Sequence, residues 1–133
     1  MRALTLFVGV IAAACGAGAS QAIELGREYT LAPGEHVGGT DLTLRFDAVP
    51  ADSRCPSDVQ CIWEGDATVA VTVLSSSLAP CAVELHTATS LRGDKMCGPY
   101  ALRLIGLSPE RGRAGSPIGP QAYRATVVAA IAR

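Results

Sequence analysis

The run Asp52-Ser-Arg-Cys-Pro-Ser-Asp-Val-Gln-Cys-Ile-Trp-Glu-Gly-Asp66 leads without a break into Ala67-Thr-Val-Ala-Val-Thr-Val73. Two cysteines, a proline and the only tryptophan of the chain are followed at once by its most regular apolar alternation. Ala67, Val69, Val71 and Val73 project to one side and Thr68, Ala70 and Thr72 to the other, which is the period of two of an extended strand. Both sides are tolerably apolar, so the strand is expected to lie centrally in its sheet. The segment before it, closed by Cys55 and Cys61, then becomes a cross-linked turn that feeds the strand.

The same period recurs on either side of this point. Upstream, Leu42, Leu44, Phe46 and Ala48 alternate with Asp41, Thr43, Arg45 and Asp47, a half-buried strand that Pro50 is expected to end. A shorter strand within residues 23–32, carrying Tyr29 and Leu31, stops at the Pro33-Gly34 turn. Downstream, Ser75 to Ser77 and Pro80 mark a turn, residues 83–88 form a strand, and Arg92 to Lys95 form the tip of a connection. Residues 100–107 alternate again. The Gly, Pro and charge content of Glu110 to Gln121 predicts an exposed loop before a closing strand from Tyr123. Beyond the N-terminal apolar run, no stretch combines helical spacing with caps. Six or seven short strands with closely spaced turns predict an all-β fold, an antiparallel β-sandwich or small barrel stapled by disulfides.

Met1 and Arg2 precede an apolar run through Ala14, after which small residues continue to Ala22, the pattern of an export signal rather than a membrane span. Residues 1–22 are therefore expected to be a signal peptide and residues 23–133 a single β-domain. A second processing route is open, because Ala12-Ala-Ala-Cys15 resembles a lipobox and makes Cys15 the candidate lipidation site. The expected location is periplasmic or secreted, or membrane-anchored by that route. Without Arg2 the remainder has ten basic against twelve acidic residues. Such a balance offers nothing to nucleic acid, and contact with a membrane is expected only through a lipid on Cys15.

Cys55, Cys61, Cys81 and Cys97 form an even set, which an oxidising compartment converts to disulfides. Loop proximity favours Cys55 with Cys61 and Cys81 with Cys97. A thiolate metal site joined by His36 or His86 is the alternative, but no Cys-x-x-Cys or paired His spacing supports it. Asp47, Asp52, Asp58, Glu64 and Asp66 gather near the turn. They are read as turn residues bonding backbone donors rather than as a calcium loop, whose regular alternation they lack. Trp63 is expected to be a core plug over the first disulfide, with an exposed binding platform as the sharper alternative. No Gly-x-Ser-x-Gly, His-Glu-x-x-His, phosphate loop or dinucleotide fingerprint occurs, so no catalytic residue, metal or cofactor is assigned.

Asp52, Ser53, Arg54, Cys55, Pro56, Val59, Cys61, Trp63 and Gly65 make up a motif through which the chain resembles a group of small exported bacterial proteins, often lipoproteins. The strands at Phe46 and Tyr123 are in keeping with it, whereas Glu64 stands where a small residue is common. The group is known by sequence rather than by function, so the resemblance implies export and a motif core at Asp52, Arg54, Pro56, Trp63 and Gly65, but no catalytic or ligand residue. The expected function is a non-catalytic binding module of the envelope or exterior whose partner is a protein or envelope component. Two alternatives stand beside it: a protease inhibitor presenting the braced loop from Pro56 to Gln60, and an envelope metal-binding or redox protein.

Overall fold

The computed structural model describes residues 22–132. Residues 1–21 of the expected signal peptide, Cys15 among them, lie outside these described residues. Among them are eight strands: β1 (Glu28–Leu31), β2 (His36–Gly38), β3 (Leu42–Asp52), β4 (Ala67–Ser75), β5 (Leu78–His86), β6 (Lys95–Cys97), β7 (Tyr100–Ser108) and β8 (Arg124–Ile131). They form two four-stranded antiparallel sheets, ordered β1-β8-β7-β6 and β2-β3-β4-β5. The fold is a sandwich rather than a closed barrel. β4 sits inside its sheet, as its two apolar faces require.

Between the sheets, Leu44 and Phe46 of β3, Val69, Val71 and Val73 of β4, Leu85 of β5, Leu102 and Leu104 of β7 and Val127 of β8 are buried. Each fully buried side chain of this size stabilises the fold by about 1.5 to 3 kcal/mol relative to exposure. These residues hold alternate positions on their strands, so the period of two seen in the sequence is the packing of the core itself.

Three features depart from the expected order. β3 does not end at Pro50 but runs on to Asp52, through register shifts between Phe46 and Ala48 and between Ala48 and Ala51. Such irregularities let a proline lie within a strand, because the ladder is already interrupted there. Pro80 likewise falls inside β5, an edge strand on which a missing N–H does not break the sheet. The short strands β2 and β6, three residues each, are too brief to show a period.

Two disulfides are present among the described residues, Cys55–Cys61 and Cys81–Cys97. They are compatible with an oxidising, exported compartment. The second joins β5 to β6, the edge strands of opposite sheets, and so staples the two layers along one side. Replacing both Cys81 and Cys97 by serine should lower stability by about 2 to 3 kcal/mol, from loop-closure entropy alone. Urea midpoints of the wild-type and double-variant proteins, measured without reductant, check this.

Candidate functional site

The pairing of β3 with β4 runs on beyond the ladder into the cross-linked turn. Beyond the last ladder pair, Asp52 opposite Ala67, the backbone N–H of Ser53 donates to Asp66 O and that of Cys55 to Glu64 O. The Ser53 hydroxyl also donates to Asp66 O and accepts from the Asp66 N–H. Gly65 closes this narrowing with φ +70°, and a Cβ there would overlap the Ser53 carbonyl oxygen. Only glycine lets the two arms approach so closely.

At the base of the turn lies a polar clasp. Asp52 Oδ1 accepts from Arg54 Nε at 2.9 Å, and Asp52 Oδ2 accepts from Arg54 Nη2 at 2.8 Å and from the Tyr123 hydroxyl at 2.9 Å. Arg54 also donates to the carbonyls of Leu107 and Pro109, while Arg111 Nη1 donates to Asp52 O. The Asp52 and Arg54 side chains are 8% and 14% exposed, so the pair is shielded enough for its hydrogen bonds to matter. The clasp connects the end of β3 to the end of β7 and to the entry of β8, which lie in different sheets. Burial alone would raise the Asp52 carboxyl, but its bonds to Arg54 and Tyr123 hold it below the ordinary carboxylate value.

The five carboxylates near the turn do not converge. Asp47 pairs with Arg45 and Thr72, and Asp52 belongs to the clasp. Asp58 accepts from the Ala114 N–H, and Glu64 accepts from the Thr89 N–H. Asp66 accepts from the backbone N–H groups of Thr87 and Ala88 and meets His86 Nδ1 at 2.7 Å. Burial pushes the Asp66 carboxyl up, yet the Ala88 amide and His86 outweigh it and leave the carboxyl below its ordinary value. Among the described residues, no three His, Cys, Asp or Glu side chains gather closely enough to hold a metal ion.

Asp52 and Asp66 set a direction for pH dependence. Each has a folded pKa below its unfolded one, so its stabilisation is complete above about pH 4 and is lost as pH falls through the lower folded values. Thermal melts from pH 7 to pH 2 should show stability falling steeply below about pH 4. Asp66→Asn should make that fall shallower while lowering stability at pH 7.

Trp63 is not a core plug: it is 56% exposed. Beyond the narrowing at Gly65, residues 57–64 are all exposed, and Phe46 with the valines of β4 already fills the space between the sheets. Beside Trp63, Ile62 is fully exposed and Val59 is 46% exposed. The turn is nonetheless fixed. Cys55–Cys61 closes it, Val59 N–H donates back to Pro56 O, and Ser57 N–H donates to Gly112 O. With the Ala114 to Asp58 bond, this makes the turn and the loop from Glu110 to Gln121 one continuous surface. Of the motif residues, Asp52, Arg54 and Gly65 build the turn, Pro56 shapes it, and Trp63 is displayed by it.

The molecule is thus a disulfide-stapled antiparallel sandwich with a braced apolar turn at one end. The chain matches no protein-family model, no curated protein and no solved structure.

Proposed function

We propose that the protein is an exported, non-catalytic binding module, delivered to the periplasm or exterior or tethered through Cys15, that engages a protein or envelope component through the turn at Val59, Ile62 and Trp63. The observation that carries this reading is that Ile62 and Trp63 stand in solvent on a turn closed by a disulfide and tied to a second loop. Exposed apolar side chains grouped on one turn mark a contact surface where scattered ones do not, and a turn already ordered binds with little further entropy loss. Tryptophan in particular concentrates binding energy at interfaces.

The inhibitor reading needs an extended segment to enter a protease cleft. The Pro56 to Val59 stretch is instead folded into a hydrogen-bonded turn, which favours the binding-module reading. A thiolate metal site or a dithiol redox role would require one of the two disulfides to open.

The double variant Ile62→Ser, Trp63→Ser tests the proposal. Its stability should stay within about 0.5 kcal/mol of wild type, because neither side chain supports the core. Capture of a specific component from an envelope extract should fall at least about tenfold. Unchanged capture by the double variant would remove the turn from the interface.

A further inference from the structure

The two disulfides differ in what surrounds them. Cys97 is 1% exposed within the core between the sheets and Cys81 packs against that core, so the Cys81–Cys97 bond is covered by the sandwich. Cys55 is half-buried, and its partner Cys61 lies in a run of exposed residues from Ser57 to Glu64. A thiolate has to reach a sulfur to attack it, and this access sets the rate of thiol–disulfide exchange. Of the four cysteines, only Cys61 stands open to solvent.

They differ also in what they hold. The N–H groups of Ser53 and Cys55 bond across the turn to Asp66 O and Glu64 O, Ser57 N–H donates to Gly112 O, Asp58 accepts from the Ala114 N–H, and Glu64 accepts from the Thr89 N–H. These bonds fix the arms of the turn on both sides. Between the arms, no backbone–backbone hydrogen bond among the described residues involves Gln60, Cys61, Ile62 or Trp63, and Val59 bonds only to Pro56 within the turn itself. The tip that displays Val59, Ile62 and Trp63 is therefore cross-linked to the arms through Cys61 alone.

We infer that Cys55–Cys61 is a thiol–disulfide exchange site for a dithiol reductant, and that its reduction frees the tip of the turn while the sandwich stays folded. For what the exchange controls, this rests on the binding-module reading. A thiolate of the dithiol forms a bond to Cys61 Sγ as the Cys55–Cys61 bond breaks, and Cys55 leaves as a thiolate that takes up a proton. The second thiol of the reductant then attacks the first in the mixed disulfide and releases Cys61, which is protonated in turn. The protein gains two electrons and two protons, and the dithiol becomes a disulfide. In the oxidised form the tip is ordered before any contact is made. In the reduced form residues 59–63 have to be ordered again before Ile62 and Trp63 can bind, which weakens the contact. The Cys81–Cys97 staple stays closed throughout, so the exchange acts on the contact surface and not on the fold.

Trp63 is the only tryptophan of the chain, so fluorescence anisotropy reports on the tip directly. The folded protein is treated with dithiothreitol, quenched at intervals with iodoacetamide and mapped by mass spectrometry, with anisotropy and amide exchange followed in parallel. Cys55 and Cys61 should become alkylated at least about tenfold faster than Cys81 and Cys97. Trp63 anisotropy should fall at the same rate and recover on reoxidation, while the amides of Val69, Val71 and Val73 stay protected. The variant Cys55→Ser, Cys61→Ser should show the low anisotropy without any reductant. Equal rates at all four cysteines, earlier opening of Cys81–Cys97, or unchanged Trp63 anisotropy after reduction would each overturn the inference. None of these readouts needs a partner, so the exchange site can stand where the Ile62 and Trp63 variants fail to alter capture, and can fail where they succeed.

Discussion

Asp52→Ala should lower the stability of the domain by about 3 to 5 kcal/mol, because it strands the partly buried Arg54 guanidinium and removes the acceptor of the Tyr123 hydroxyl at one stroke. The loss arises mainly from the charge left behind rather than from the pair itself. Asp52→Ala combined with Arg54→Met should therefore recover much of it, since two apolar groups of similar shape carry no unpaired charge. Tyr123→Phe should cost only about 1 kcal/mol, the ordinary worth of one hydrogen bond. Equilibrium urea unfolding of the three proteins resolves these sizes. If the double variant is no more stable than Asp52→Ala, the penalty comes from lost backbone connections to Leu107 and Pro109 instead.

Gly65→Ala is expected to cost at least about 3 kcal/mol. A Cβ at this position meets the Ser53 carbonyl and the Arg54 Cα, both backbone atoms that cannot rotate away, and φ is +70°. Gly34 provides the control. Its φ is +85° but nothing lies within contact of an added Cβ, so Gly34→Ala should show only the left-handed penalty of about 1 to 2 kcal/mol. Comparable losses at the two glycines would mean that the arms of the turn move apart freely, and the close approach at Gly65 would then not be what holds Trp63 out of the core.

How far the sequence reaches is best seen at these same residues. The alternation at Ala67 to Val73 and at Leu42 to Phe46 announces the sheets and their inward faces, because strand burial and strand periodicity are one pattern. The Trp63 expectation fails for a reason that local pattern does not carry. Whether a large apolar side chain is covered depends on which distant parts of the chain fold over it, and the residues around Trp63 do not carry that information. Asp52 and Arg54 stand out as motif residues, but their tie to Tyr123 spans 71 positions. A single sequence does not mark such a contact. β6 is invisible for a related reason, because three residues are too few to leave a periodic trace.

β1 pairs with β8, so the earliest strand of the sandwich finds its neighbour in the latest, with Thr30 and Thr126 joined 96 positions apart. Both disulfides, in contrast, close short segments of 6 and 16 positions. Folding therefore separates into two stages of different reach. The local hairpins and their cross-links can form on a partly emerged chain, whereas the sheet of β1, β8 and β7 has no complete form until the last strand is present. Chains dominated by such distant pairings cross their barrier on the scale of milliseconds to seconds. A polypeptide with this topology stays open while it is being made or threaded through a pore, and locks only when its far end arrives.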